Sequence, residues 1–168
     1  MTKPLRKIED VPAAASIGKS ALPQVVKALT GVLGSTYVLY QKSLYYHWNV
    51  RGHNFYGLHK LFEEHYEELH NAGDVIAERI RALGYVAPGT LAEFLQLSQV
   101  GEDKDLPKDT ATMIANLLES HEICAKQAQD ALKAAEKSED QVTVDLMVRR
   151  MDFHATAAWM LRAIEPVR

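Results

Sequence analysis

Apolar residues recur every three or four positions along most of the chain, and this spacing most limits the possible folds. In the first such segment they are Leu22, Val26, Leu29, Leu33, Tyr37, Tyr40, Leu44 and Trp48. This spacing puts the side chains on one face of a long α-helix. The pattern resumes from Phe55 to Leu83, and Gly52 and Asn54 between the two segments suit a helix end and a helix start. The sequence therefore predicts two long helices joined by a short reversal.

The second half of the chain predicts two more long helices. Pro107 is placed to open the third, and a capping-box pattern that starts at Ser138 opens a fourth, in which Phe153 and Trp159 are expected to point inward. The segment LAEFLQLSQV predicts a short extra helix in the long connection between helices 2 and 3. We therefore expect an all-α, ferritin-like four-helix bundle with that short extra helix in the connection.

The N-terminal residues differ in composition from the rest. Pro4, Pro12 and a run of alanines predict a flexible arm over residues 1–18, ahead of a bundle domain over residues 19–168. The chain has a formal net charge of −3, so the whole molecule is not an obvious nucleic-acid binder. It shows neither a membrane-length apolar run nor a signal-peptide pattern. We expect a cytoplasmic protein with no membrane partner.

Two histidines lie on either side of the break between the first two helices. His47 falls on the last turn of the first helix and His59 on the second turn of the next. A short reversal makes these helices antiparallel neighbours, so the two imidazoles can approach each other. A single histidine on an apolar face is more often a hydrogen-bonded core residue, but paired neutral imidazoles suit divalent iron, zinc or copper.

Carboxylates could complete such a site. Asp74 and Glu78 share one face of the second helix, although the alternative is a solvated face with Glu78 paired to Arg79 or Arg81. Along a straight helix His59 and Asp74 are about 22 Å apart, too far for one metal site within a chain. If the acids are ligands, two copies of this helix must lie antiparallel across a two-fold axis, and the dimer then carries two identical sites.

A competing site would lie inside the bundle, where ferritin-type iron sites use Glu-x-x-His motifs from two helices. The stretch EELH supplies one such motif, Glu67 and His70. The remaining candidates have the wrong offsets for a second motif: Glu119, His121, Glu122, Asp152 and His154. This alternative is therefore incomplete. The histidines other than His47 and His59 in the first half of the chain, His53, His65 and His70, are expected at the surface, with an auxiliary metal site that includes Glu67 as the alternative.

The stretches HWNVRG and FYGLHKLF, followed by Asp74, Glu78 and ERIRALG, resemble the Dps family, the DNA-binding proteins from starved cells. The resemblance runs from about Leu22 to the closing AWMLRAI. It implies that His47 and His59 are ferroxidase ligands from one subunit, and that Asp74 and Glu78 come from a two-fold neighbour. The iron site would be di-iron or mononuclear.

The same resemblance implies a hollow dodecamer that oxidises ferrous iron with hydrogen peroxide or O2. It would store the ferric mineral and so protect DNA from oxidative damage. The alternative is a nucleoid-compacting protein in which iron oxidation is secondary. Residues 1–20 hold four basic and two acidic residues, a weak arm that twelve copies would strengthen only through avidity. The sequence therefore favours iron chemistry, with weak DNA binding at most.

The resemblance also assigns four auxiliary residues. Trp48 lies beside the family's site as a local electron donor, with a core aromatic as the alternative. Glu63 and Glu64 match cavity-facing acids that nucleate mineral, although Lys60 departs from that acidic patch. Asp145 matches an acid near the iron-entry pores, although an acid early in a helix is also favourable for the helix dipole.

One stretch near the C-terminus departs from the family pattern. Members often read HEKAAW, whereas this chain reads HATAAW. Ala155 and Thr156 thereby replace two charged residues, with a consequence that the sequence does not predict.

Overall fold

The computed structural model of the chain describes residues 5–8 and 21–164. It contains five helices: α1 (Leu22–Asn49), α2 (Phe55–Ala82), α3 (Leu91–Leu97), α4 (Thr110–Glu136) and α5 (Gln141–Arg162). The four long helices form the bundle, and α3 is the short extra helix in the connection between the second and third of them. The predicted all-α, ferritin-like fold is confirmed. Each helix in residues 21–164 lacks either the length or the apolar character that crossing a membrane requires.

Two clusters of buried side chains fill the bundle, one toward each end. The first joins the N-terminal halves of α1 and α5 to the C-terminal halves of α2 and α4. The second joins the opposite halves of the same four helices. Helices α1 and α5 therefore run in one direction and α2 and α4 in the other. The connection that carries α3 must run the length of the bundle to reach the start of α4.

Part of the predicted arm lies within the described residues. Lys7 forms an isolated antiparallel bridge with Tyr85, and the backbone N–H of Ile8 donates to the Gly84 carbonyl at 2.9 Å. These contacts hold residues 5–8 against the end of α2. Residues 1–4 and 9–20 lie outside the described residues, so the flexibility of the arm stays a prediction.

Glycine lets α3 approach α1 closely. A Cβ built on Gly34 would lie 2.9 Å from both the Cβ of Leu97 and the carbonyl oxygen of Phe94. Real Cβ atoms essentially never come that close, and backbone cannot swing aside as a long side chain can. Three residues earlier, a Cβ on Gly31 would meet only ordinary contacts, the nearest being the Gln127 side chain at 3.6 Å.

We predict opposite stability effects for the two matching alanine substitutions. Gly34→Ala should destabilise the protein by about 1–3 kcal/mol, because α3 must move away from α1. Gly31→Ala should stabilise it by up to about 1 kcal/mol through the higher helix propensity of alanine. Thermal unfolding followed by circular dichroism at one protein concentration measures both. Equal effects in the two variants would contradict the close approach of α3.

Two predicted helix starts are displaced in the structure. Helix α4 begins at Thr110 rather than at Pro107, because the Asp109 side chain accepts a hydrogen bond from the Thr112 backbone N–H at 2.7 Å and caps the helix there. Helix α5 is capped by Asp140 rather than by Ser138. The Ser138 hydroxyl instead donates back to the Ala134 carbonyl at 2.8 Å, at the end of α4.

Two tryptophans expected at inward positions lie on the surface of the chain. Trp48 is 62% exposed and Trp159 is 64% exposed. In α5 the buried stripe passes through Arg150, His154, Ala157 and Leu161, so Trp159 falls outside it. The inward prediction for Trp159 and the core alternative for Trp48 are therefore wrong for a single chain.

Candidate metal centre at the turn between α1 and α2

The turn between α1 and α2 places His47 and His59 face to face. Helix α1 ends at Asn49, and Gly52 takes a φ of +111°, which lets the chain reverse before α2 begins at Phe55. The two imidazole rings stack with their centroids 3.8 Å apart and their planes at 19°. The predicted approach of the two histidines is therefore observed.

Each histidine is held by the backbone of the other. The Nδ1 of His47 lies 2.9 Å from the carbonyl oxygen of His59, and the Nδ1 of His59 lies 2.9 Å from the carbonyl oxygen of His47. Since a carbonyl can only accept, both Nδ1 atoms must carry the hydrogen. In a neutral ring Nε2 then keeps its lone pair. Hydrogen bonding of the other ring nitrogen is how proteins fix the tautomer and orientation of a metal-ligating histidine.

Aromatic side chains close two sides of this pair. The Phe55 ring stacks on His59 with centroids 5.1 Å apart, and the edge of Tyr66 meets His47 at the same distance. His47 is buried and His59 is half-buried. The rings are therefore restrained, and the half-buried ring leaves the pair open to solvent on one side.

The carboxylates that could complete the site lie elsewhere on α2. Asp74 and Glu78 are both exposed. Arg79 pairs with Asp140 at 2.5 Å, and Arg81 donates to the Tyr85 carbonyl, so the structure does not support the alternative pairing of Glu78 with either arginine. Because α2 is one helix from Phe55 to Ala82, the separation of about 22 Å between His59 and Asp74 applies. Within the described ranges of one chain, no three potential ligand side chains are arranged to hold a metal ion.

The remaining residues implied by the resemblance lie at or near the surface. Glu63 is half-buried and forms an ion pair with Lys60, which lowers the pKa of its carboxyl, whereas Glu64 is exposed. Asp145 is exposed and pairs with Arg149 at 3.0 Å. Ala155 and Thr156 are exposed.

The carboxylate site inside the bundle is not built. The acids considered for that site are all exposed: Glu67, Glu119, Glu122 and Asp152. His70, the histidine of its one motif, is exposed as well. His53 and His70 lie at the surface as expected. His65 does not, since only 2% of it is exposed. The prediction of a surface position for His65 is wrong.

His65 belongs to a buried cluster that the sequence analysis missed. It lies on α2 beside His121 on α4, with ring centroids 4.8 Å apart. The Nδ1 atoms of His121 and of His154 on α5 are 3.0 Å apart. The spacing of apolar residues along α2 already indicated a core position for His65. His65 follows Phe62 by three residues and precedes Leu69 by four, which is the register of the core.

Burial dominates the ionisation of these three rings. It lowers the pKa of His65 to about 4 and that of His154 to about 3. Burial also lowers the pKa of His121 well below the usual value, with smaller effects from His65 and His154. The cluster is therefore uncharged at neutral pH.

Known proteins match this chain over most of its length. The ferritin-like domain family matches residues 26–165. An uncharacterized low temperature-induced protein of Nostoc sp. is 40% identical over 141 residues, which cover 83% of this chain and 78% of that protein. The DNA protection during starvation protein 2 of Bacillus anthracis is 31% identical over 140 residues, or 83% of this chain and 95% of that protein.

A solved structure gives the same assignment. The Dps protein from Vibrio cholerae O1, described as a member of a broad superfamily of ferritin-like diiron-carboxylate proteins, superposes with a TM-score of 0.82. It is 28% identical, and the match covers 90% of this chain and 98% of that one. From the family match, the named relatives and the shared fold, we conclude that this chain belongs to the Dps family of ferritin-like proteins.

Proposed function

We propose that this protein is a ferroxidase and iron-storage protein that protects DNA from oxidative damage. Iron is its substrate and its cargo. The observation that carries the proposal is the reciprocal hydrogen bonding of His47 and His59, which fixes both rings in the tautomer that leaves Nε2 able to bind a metal ion. The diiron-carboxylate description of the related Vibrio cholerae protein supports iron as that metal.

We propose that carboxylates from a second chain complete the site. Imidazole and carboxylate together suit ferrous iron and also stabilise the ferric product, because hard carboxylate oxygens favour the higher charge. Asp74 and Glu78 are exposed on the same helix as His59, about 22 Å away. A two-fold neighbour with an antiparallel α2 brings its own Asp74 and Glu78 to this chain's histidines, giving one di-iron or mononuclear site at each end of the shared interface.

The exposed apolar side chains near these residues support such an interface. Phe55 stacks on His59, Trp48 directly follows His47 in the chain, Tyr56 follows Phe55, and Val75 follows Asp74; all four are exposed large apolar side chains in the single chain. Clustered apolar surface of this kind marks an interaction site. The apolar surface thus lies at both ends of the stretch that a two-fold neighbour must cover.

The electron balance of the reaction follows from its substrates. Each ferrous ion gives up one electron, and two such electrons with two protons reduce one hydrogen peroxide molecule to two water molecules. Consuming iron and peroxide together removes both reactants that generate hydroxyl radicals. We propose hydrogen peroxide as the preferred oxidant, with O2 as the alternative.

The other residues take auxiliary roles in this proposal. Trp48, exposed beside the histidine pair, serves as a local electron donor. Glu63 and Glu64 nucleate the ferric mineral, with Glu63 already sharing its charge with Lys60. Asp145 lies by an iron-entry pore. The proposed assembly is a hollow dodecamer in the cytoplasm, associated with the nucleoid to the extent that it binds DNA.

Anaerobic loading of the purified protein with ferrous iron, followed by hydrogen peroxide, tests the function. We expect rapid formation of a ferric species that stays with the protein in size-exclusion chromatography as a twelve-subunit particle. Free ferric precipitate at the rate seen without protein would contradict it. Light scattering that shows only monomers would contradict the shared site.

We predict that DNA binding is weak at physiological salt. The chain has a net charge of −3, and the arm of each copy supplies few cations, so phosphate contacts are few. A gel-shift titration with plasmid DNA at low and at physiological salt measures this, and any binding should fall steeply with salt. The nucleoid-compacting alternative would be favoured instead by retention of plasmid in the well at physiological salt that is lost on deleting residues 1–10.

A further inference from the structure

Three imidazoles meet inside the bundle without enough polar partners. His65, His121 and His154 come from three different helices, and each is at most 2% exposed. Both ring nitrogens of His65 and the Nε2 of His121 have no hydrogen-bond partner in the described part of the chain. Buried polar atoms are nearly always satisfied, so the two unpaired ring nitrogens of His65 in particular indicate a ligand that the protein itself does not supply.

We propose that His65, His121 and His154 form a second metal site, which takes one Zn²⁺-like transition-metal ion inside each bundle. It is separate from the histidine pair at the turn and from the Asp74 and Glu78 carboxylates. The site lies within one chain, so it needs no neighbouring subunit. The proposal does not depend on the proposed ferroxidase function.

The spacing of the rings fits a common tetrahedral metal ion. Zinc–nitrogen bonds of about 2.0–2.1 Å at a tetrahedral angle put two ligand nitrogens about 3.3 Å apart. The Nδ1 atoms of His121 and His154 are 3.0 Å apart, so a slight widening admits the ion in place of their shared hydrogen. Two imidazoles on such an ion have ring centroids about 5 Å apart. The observed centroid distances are 4.8 Å between His65 and His121 and 5.2 Å between His121 and His154.

The third ring must turn to complete the site. Within the described residues no three ligand side chains already converge on one point. His65 is the ring that can move, because no hydrogen bond fixes either of its nitrogens. The rings of His121 and Phe153 lie edge to face against it, and a half-turn about its Cβ–Cγ bond exchanges each ring nitrogen with a ring carbon, which changes the atoms that face His121. Two preformed ligands and one ring that turns make up the protein's donor set, and a water molecule would take the fourth position of a tetrahedral ion.

The surroundings favour a metal ion that prefers nitrogen. Burial keeps all three rings uncharged at neutral pH, which is the state that binds metal. Arg150 is paired with Glu68 in a bidentate contact, which offsets part of the charge that Arg150 exerts on His154. Imidazole nitrogens are ligands that suit zinc, whereas the sites that store iron are rich in oxygen ligands.

Crystals of the wild-type assembly grown with Zn²⁺ test the proposal without changing any residue. We expect an anomalous-difference peak at the zinc edge between the three rings, with His65 turned toward it. A map that shows zinc at the turn between α1 and α2 but none inside the bundle would overturn the proposal. Failure of the proposed ferroxidase function would leave this peak unaffected.

A cobalt titration provides the matching solution test. In protein carrying His47→Ala and His59→Ala, Co²⁺ should still give the intense visible absorption of a four-coordinate ion, at one equivalent per chain. His121→Phe and His65→Phe, which keep the space filled, should each weaken Co²⁺ binding at least about tenfold. His70→Phe, at an exposed position on α2, is the control and should bind like its parent. Equal Co²⁺ binding by the His121→Phe, His65→Phe and His70→Phe variants would overturn the proposed site. If His121→Phe and His65→Phe do not assemble, the zinc map of the wild-type crystals decides.

Discussion

The double variant His47→Ala, His59→Ala is expected to lose rapid oxidation of ferrous iron by hydrogen peroxide, by more than about 100-fold, while the assembly stays intact. Losing a residue that merely orients a metal ligand typically costs 10–100-fold in metal affinity or activity, and here two ligands are removed. Assembly should survive because the rings stack on each other at the end of the bundle rather than in its core clusters. Stopped-flow absorbance at the ferric band measures the rate.

The matched control removes two histidines that the proposed site does not use. His53 and His70 are both exposed, and His53→Ala with His70→Ala should oxidise iron at the wild-type rate. Light scattering must show the same particle size for both double variants. An assembled His47→Ala, His59→Ala variant that oxidises iron as fast as the wild type would remove these histidines from the site.

The second large effect is expected at a buried ion pair that ties α2 to α5. Asp140 accepts from the Arg79 guanidinium at 2.5 Å and from the Thr143 backbone N–H at 3.1 Å, and its side chain is 1% exposed. Asp140→Ala removes the α5 N-cap and leaves Arg79, which is largely shielded from solvent, without its ion-pair partner and with only the Thr143 hydroxyl as a side-chain acceptor. Breaking a buried pair on one side typically costs about 3–5 kcal/mol. For a chain of this length the unfolding midpoint should fall by roughly 10 °C.

Thermal unfolding followed by circular dichroism tests this at one fixed protein concentration, since assembly makes the midpoint depend on concentration. Asp130→Ala is the control, because Asp130 pairs with Lys126 on the exposed face of α4. That variant should leave the midpoint nearly unchanged. Equal midpoints for the two variants would mean that the Asp140 pair does not hold α5 in place.

The helices could be predicted from the sequence because their signals are local. Apolar residues that recur every three or four positions located the four long helices. The glycine expected just past α1, Gly52, takes a positive φ. The start of α5 was misjudged for a non-local reason. Both Ser138 and Asp140 can cap a helix, and Arg79, from a different helix, is the partner that favours Asp140.

The pairing of His47 with His59 was also predictable, since a short turn between two helices leaves few other arrangements. Their reciprocal hydrogen bonds to each other's carbonyls were not predictable, because spacing says nothing of ring orientation. The buried cluster was missed for a different reason. Each of His65, His121 and His154 occupies a core position on its own helix, but only the packing of α2, α4 and α5 shows that the three positions meet.

The exposure of Trp48 shows where the sequence pattern of one chain reaches its limit. Helical spacing cannot distinguish a side chain that faces the core of its own chain from one that faces a neighbouring chain. Trp48, Phe55 and Tyr56 are exposed in the single chain although they are large and apolar. A two-fold partner across this face would reconcile the apolar pattern with the exposure.

The central claim is that the ferroxidase site is shared between chains, and co-assembly of two inactive variants tests it most directly. One subunit type carries His47→Ala and His59→Ala, and the other carries Asp74→Ala and Glu78→Ala. Each variant alone should oxidise iron slowly. In a mixed shell, each dimer that pairs the two types has one site with all four ligands and one site with none, so part of the activity should return. Mass spectrometry confirms that the shells are mixed. Mixed shells that remain as slow as either parent would contradict the shared site.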